Sequence, residues 1–166
     1  MCPTPPNLSD LAQSVPDAGG VVFVPALAGL GAPHWDDNAK GLITGMTHAT
    51  TRAHLARATF EAIACQIADV FDAMERDMGQ KLAALRADGG ASGNGLLMQL
   101  QADLLGRPVL QSQVTEVGAL GAAAMAFRSL GVDMPLATSA PKVFAPHETL
   151  GNVRSLWAEA VARARR

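Results

Sequence analysis

Leu85-Arg86-Ala87-Asp88-Gly89-Gly90-Ala91-Ser92-Gly93-Asn94 leads from an apolar-containing run into paired glycines, and from there into a stretch with helical spacing. Leu85 to Asp88 reads as a strand. Leu97, Leu100 and Leu104 fall on one face of a helix from about Asn94 to Leu105, and Gly106 stops it. A strand that turns through glycines into a helix presents main-chain N–H groups at the helix start. Gly89 and Gly90 lack Cβ atoms, so a ligand can approach that main chain closely. Oriented amides and the helix dipole favour a phosphate or the edge of a nucleoside there. Asn94 can both donate and accept, which suits a base or a ribose. The same residues also suit a plain β–α turn capped by Asn94. Neither the lysine-containing phosphate loop nor a Gly-x-Gly-x-x-Gly pattern is present.

The pattern around this turn is alternating. Upstream, Val21 to Val24 is a short β-branched run stopped by Pro25, and Leu42 to Met46 reads as a second strand. Between them Gly29, Gly31 and Pro33 force a loop through Trp35, Asp36, Asp37 and Asn38. The spacing then predicts a long helix from about Thr51 to Met78. Its inward face is Leu55, Thr59, Ile63, Ile67, Val70, Met74 and Met78, widened by Phe60, Ala64 and Phe71, with Thr50 or Thr51 as N-cap and Gly79 as C-terminal stop. Downstream, Pro108 to Gln111 reads as a strand and Gly118 to Leu130 as a small-residue helix with Ala119, Ala122, Ala126 and Leu130 on one side. Val153 to Arg165 reads as a closing amphipathic helix. Strands alternating with helices through tight glycine turns indicate an α/β layer architecture. Three parts are expected: a polar lead-in over 1–20, the main domain over 21–131, and a Pro-rich loop with the closing helix over 132–166. No internal repeat is visible.

Composition bounds the function. The chain has 166 residues, 49% apolar and 17% charged, with a formal charge of −2. That suffices for a folded core and offers no general attraction to nucleic acid or an anionic membrane. Cys2 and Cys65 lie in unlike settings and show neither disulfide nor metal-site spacing. The apolar runs are too short to span a bilayer, and the N-terminus has no secretory pattern. A cytoplasmic protein is expected.

Five segments in order resemble motifs of the FGGY family of carbohydrate kinases, most closely its glycerol-kinase branch. Phe23-Val24-Pro25-Ala26-Leu27-Ala28-Gly29-Leu30-Gly31-Ala32-Pro33-His34-Trp35-Asp36 resembles Pro-Ala-Phe-x-Gly-Leu-x-Ala-Pro-Tyr-Trp-Asp, with His34 at a usual Tyr position. Ala58 to Ala64 resembles Ala-x-Leu-Glu-x-Ile-Ala. Leu85 to Gly90 and Leu97 to Gly106 resemble the family's nucleotide-site strand and the helix after it. Thr115-Glu116-Val117-Gly118-Ala119-Leu120-Gly121-Ala122-Ala123 resembles Thr-Glu-x-x-Ala-Leu-Gly-Ala-Ala. Pentulose kinases usually carry Gly-Glu-Arg-x-Pro where this chain has its Pro33 loop.

The resemblance implies the actin-like, ribonuclease-H-like fold and the later part of the second, nucleotide-binding domain. It implies ATP with Mg²⁺, and a small polyol or sugar held by the other domain, with glycerol converted to glycerol 3-phosphate. By motif position Gly89, Gly90 and Ala91 contact the nucleotide and Asn94 lies toward the adenine. No catalytic residue and no protein metal ligand is expected in this stretch, because the family's base, acceptor site and phosphate hairpins precede it. The isolated chain is therefore expected to be inactive, and an exposed sheet edge or apolar face is expected to make it self-associate as a homo-oligomer. Other expectations follow from the residues. Asp88 caps the turn, Trp35 anchors its loop on the core, and His34 is a surface variation. Glu61 serves as an N-cap or in an ion pair with a loop, Met98 and Met125 fill the core, Arg163, Arg165 and Arg166 form a solvated helix end, and the small-residue helix packs on its own sheet. Two alternatives stand beside this: another sugar kinase of the family (pentulose or gluconate), or a non-enzymatic nucleotide-binding or oligomerisation module.

Overall fold

The computed structural model describes residues 7–114, 116–133, 139–147 and 150–165. Its elements are α1 (Leu8–Gln13), β1 (Val22–Val24), β2 (Leu42–Thr44), α2 (Arg52–Met78), β3 (Leu85–Ala87), a 3₁₀ turn (Gly90–Gly93), α3 (Gly95–Leu105), β4 (Val109–Gln111), α4 (Val117–Ser129), β5 (Lys142–Phe144) and α5 (Val153–Ala164).

Helix α2 organises the rest. Its backbone starts after Thr51, whose N–H donates to Nδ1 of His54 at 3.0 Å, and ends at Gly79 in the left-handed region that glycine adopts without strain. On one side Ala62 and Cys65 pack with Val24 of β1, Ala26, Leu30 and Ala39, and with Trp157, Ala160, Val161 and Ala164 of α5. On the other side Ala56, Phe60 and Ala64 meet Ala12 of α1, Leu97, Met98, Leu100 and Ala102 of α3, and Val109 of β4. Alanines let neighbours approach α2 from both sides. The face expected to point inward is therefore not the buried one: Ile63, Met74 and Met78 are exposed, and among the apolar residues Phe60, Ala64 and Phe71 are buried beside the alanines.

β1 and β2 pair antiparallel, with Phe23 opposite Ile43. β3 and β4 pair parallel, Leu85 opposite Val109, and β5 adds to β4 antiparallel. Strand β5 falls inside the stretch expected to be only loop, and α1 inside the expected lead-in. Both are too short to show a period, and burial of Ala12 against α2 and pairing of β5 with β4 define them. The small-residue helix exists as α4, but none of its residues is buried. Met125 and Leu130 are 76% and 78% exposed, and Ala119, Ala122 and Ala126 are also exposed. It does not pack on the sheet of the described residues, and Met125 does not fill a core; Met98 does. Cys2, Thr115 and Arg166 lie outside the described residues. None of the helices searched among them is long and apolar enough to cross a membrane.

Candidate functional site

The turn after β3 is built from short-range bonds. Gly89 has φ +80°, ψ 179°, a conformation that favours glycine. Its carbonyl accepts from both the N–H (3.1 Å) and the hydroxyl (2.7 Å) of Ser92, whose side chain is buried beneath the turn. The N–H of Asn94 donates to Ala91 at 3.2 Å. Asn94 is then the N-cap of α3, its Oδ1 accepting from Leu97 N–H at 3.0 Å, an arrangement worth about 1 kcal/mol. Its Nδ2 donates to Oγ of Ser9 on α1 at 3.3 Å.

Gly90, Ala91 and Gly93 are exposed, and a Cβ built on Gly89, Gly90 or Gly93 would meet nothing within 4 Å. The turn thus offers an open main-chain face held rigid from below, which fits a group that must approach the backbone closely. Gly89, Gly90 and Ala91 come together on that face. Asn94 sits at its inner edge, half-buried, with its oxygen used by the cap. Asp88 is exposed at the strand end. Sequence reasoning did not single out Ser92 or Ser9. The bond from Asn94 to Ser9 joins positions 85 residues apart, which no local pattern reveals.

A second constellation lies in the Pro33 loop. Leu30 and Asp36 exchange backbone hydrogen bonds at 2.8 and 2.9 Å. Asp36 Oδ1 accepts from the N–H groups of Asn38 and Ala39, and Oδ2 from Nε of Arg165 at 3.0 Å. Above all the Arg165 hydrogen bond holds the Asp36 carboxyl below its ordinary range. Two expectations are corrected here. Trp35 is 78% exposed with φ +48° and does not anchor the loop. His34 is half-buried, with Nε2 3.2 Å from Oδ2 of Asp69, and its contact with α2 holds the loop instead. Arg165 is exposed, as expected of a solvated helix end, and is in addition tied to the loop through Asp36. Glu61 forms an ion pair, though within α2 rather than with a loop, accepting from Nε of Arg57 one turn earlier at 2.8 Å. Among the described residues no group of three or more His, Cys, Asp or Glu side chains is arranged to hold a metal ion.

Known proteins resemble this chain along most of its length. The profile of the FGGY family of carbohydrate kinases, C-terminal domain, matches residues 5–130. A glycerol kinase of Oleidesulfovibrio alaskensis is 60% identical over 126 residues, covering 76% of this chain and 25% of that protein. One of Alkalilimnicola ehrlichii is 52% identical over 163 residues, covering 95% and 33%. Among solved structures, Plasmodium falciparum glycerol kinase with ADP superposes with a TM-score of 0.79 at 34% identity, over 95% of this chain and 33% of that one. A ligand-bound xylulose kinase of Lactobacillus acidophilus gives 0.73 at 27% identity, over 97% and 33%. The chain thus spans between a quarter and a third of the curated relatives it matches, and the fold is the actin-like ATPase fold of those kinases. By the reach of the family match and the order of its motifs, the chain belongs to the FGGY family of carbohydrate kinases and is part of that family's C-terminal domain.

Proposed function

We propose that this chain is the nucleotide-binding portion of an ATP-dependent polyol kinase that phosphorylates glycerol, and that the turn from Gly89 to Asn94 borders the nucleotide. The observation that carries this reading is identity of 52% over 95% of the chain to a glycerol kinase, a span that includes the turn. Solved gluconate and xylulose kinases are 27% identical over similar spans. When bound, Mg·ATP supplies the transferable phosphoryl group. The chain's own part is to bind and orient. Gly89, Gly90 and Ala91 give an open main-chain edge, and Asn94, whose Oδ1 accepts in the cap, keeps one Nδ2 hydrogen beyond the one donated to Ser9. The acceptor hydroxyl, its base and the groups that clamp the phosphates come from the remainder of the kinase. Alone, the chain binds nucleotide without transferring phosphate, and it self-associates.

The test is calorimetric titration of the chain with Mg·ADP, repeated on Gly90→Val. A Cβ at Gly90 has open space around it, so the substitution leaves the melting temperature unchanged while covering the main-chain edge. Saturable binding by the wild type that Gly90→Val abolishes supports the assignment. Undiminished binding by the variant, or none by the wild type, removes the turn from the nucleotide site of this chain. Glycerol-dependent ADP release by the chain alone would overturn its expected inactivity.

A further inference from the structure

The side-chain amide of Asn94 is fixed from two directions. Its Oδ1 is committed to the cap of α3, accepting from Leu97 N–H at 3.0 Å. Only the amide oxygen can accept, so this bond settles which end of the group is Nδ2. Nδ2 in turn donates to Oγ of Ser9 on α1 at 3.3 Å. Asn94 is half-buried, and a bond through the oxygen alone would leave the amide free to pivot about that contact. The second bond stops the pivot.

Ser9 is itself held in place. It stands in the first turn of α1, whose N-cap Asn7 accepts from Asp10 N–H through Oδ1 at 2.9 Å. Three residues on, Ala12 is fully buried in the cluster that includes Ala56 and Phe60 of α2 and Leu97 of α3. Nε2 of Gln13 donates to the same Ser9 Oγ at 3.2 Å and to the Ser9 carbonyl at 3.3 Å. A hydroxyl oxygen has two lone pairs, so it can accept from both amides. Burial seats α1 on its neighbours, and one hydroxyl links it to the cap of α3.

The two bonds decide what Asn94 can offer a ligand. Its oxygen is taken and one Nδ2 hydrogen is used, which leaves a single N–H whose direction is set by the other contacts. A lone donor selects an atom with a free electron pair and no hydrogen. On a nucleobase that is an unprotonated ring nitrogen or a carbonyl oxygen. A donor already fixed in direction also loses less freedom on binding than one that pivots.

We propose that Ser9 is a positioning residue for the nucleotide edge: by holding Nδ2 of Asn94 it aims the remaining amide N–H at an acceptor atom of the base. The inference rests on the reading of the Gly89–Asn94 turn as that edge, and it gives α1, which carries none of the family's motifs, a part in binding.

The test compares the wild-type chain with Ser9→Ala and Ser9→Thr. Alanine is a better helix former than serine, and Asn7 and Ala12 are untouched, so α1 keeps its place; thermal melts check this. Mg·ADP is titrated calorimetrically, and the Asn94 side-chain amide is followed by ¹H–¹⁵N NMR without nucleotide. Ser9→Ala is expected to weaken Mg·ADP binding about fivefold, the scale of one hydrogen bond, and to move the Asn94 Nδ2 proton signals. Ser9→Thr keeps the hydroxyl, so it should bind within about twofold of wild type and leave those signals in place. Unchanged affinity in Ser9→Ala, or Asn94 signals that it does not move, overturns the proposal and leaves the turn as the nucleotide edge. A Ser9→Thr that binds no better than Ser9→Ala, or a fall in melting temperature that accompanies the weaker binding, overturns it too and makes Ser9 structural only. A wild-type chain that does not bind Mg·ADP removes the nucleotide-edge reading itself, and this inference with it.

Discussion

The indole N–H of Trp157 donates to Oδ2 of Asp69 at 2.7 Å, a contact between α5 and α2 across 88 residues of chain. The same carboxylate accepts from Nη1 of Arg154 at 2.7 Å and lies 3.2 Å from Nε2 of His34. Arg154 also donates to the Cys65 carbonyl and to Asp72. One partly buried acid thus fastens the closing helix and the Pro33 loop to the central helix.

Removing that acid leaves the Trp157 indole N–H without its acceptor and takes one carboxylate from Arg154, which keeps Asp72 and the Cys65 carbonyl. Asp69→Ala is expected to lower unfolding free energy by about 2–3 kcal/mol, since unmet polar groups cost more than a hydrogen bond gains. The check is the urea midpoint at constant slope. A loss under about 0.5 kcal/mol would show that the node contributes little.

Acid stability separates two glutamates on α2. Lys81, donating to Glu75 at 2.6 Å, and the N–H of Leu82 hold the Glu75 carboxyl below its ordinary value of 4.5. Its contribution is present above the unfolded value and is lost as pH falls through the depressed folded value. Burial raises Glu61 instead, the Arg57 bond only partly opposing it. In that case the native state holds the proton more tightly, so stability declines as pH rises above 4.5 through the raised folded value. Glu75→Gln should flatten the acid limb of a stability–pH curve, and Glu61→Gln should flatten the decline on the other side. Curves identical to wild type in both variants would contradict this.

Two glycines should respond oppositely to a methyl group. At Gly29, φ is +86° and a Cβ would lie 2.7 Å from Cα of Asp37 and 2.8 Å from the carbonyl oxygen of Asp36. Gly29→Ala is expected to cost about 3 kcal/mol from backbone strain and overlap. Gly90→Ala, with open space, should stay within about 0.5 kcal/mol. Thermal melts of the two variants distinguish a structural glycine from one whose value lies in its open face.

Trp35 projects from a loop held by Asp36, Asp69 and Arg165, and at 78% exposed it contributes little buried area. Trp35→Asn should change stability by no more than about 0.5 kcal/mol, because asparagine tolerates the left-handed region. A loss above about 2 kcal/mol by chemical denaturation would show that the indole packs after all.

Much of the local structure was legible in the residues themselves. Thr51 and Gly79 delimit α2 to within a residue of the expected range, and Asn94 and Gly106 bracket α3. Capping and glycine stops act over three or four residues, so they are written locally. The order of strand, glycine turn and helix was readable for the same reason, as was the family to which its motifs point. Less legible was which face of α2 is buried. Periodicity selects the largest apolar residues, whereas neighbours packed on two sides of a helix select the smallest, and Ala56, Ala62 and Ala64 lie inward while Ile63 and Met74 remain outside.

By itself, then, the sequence determined the order of the elements other than α1 and β5, the ends of α2 and α3, and the glycine turn that is the candidate nucleotide edge. Tertiary structure alone decided that Ser9 reaches Asn94, and that His34, Arg154 and Trp157 converge on Asp69. These contacts join positions tens of residues apart. Their geometry follows from how helices and strands pack, and no local propensity encodes it.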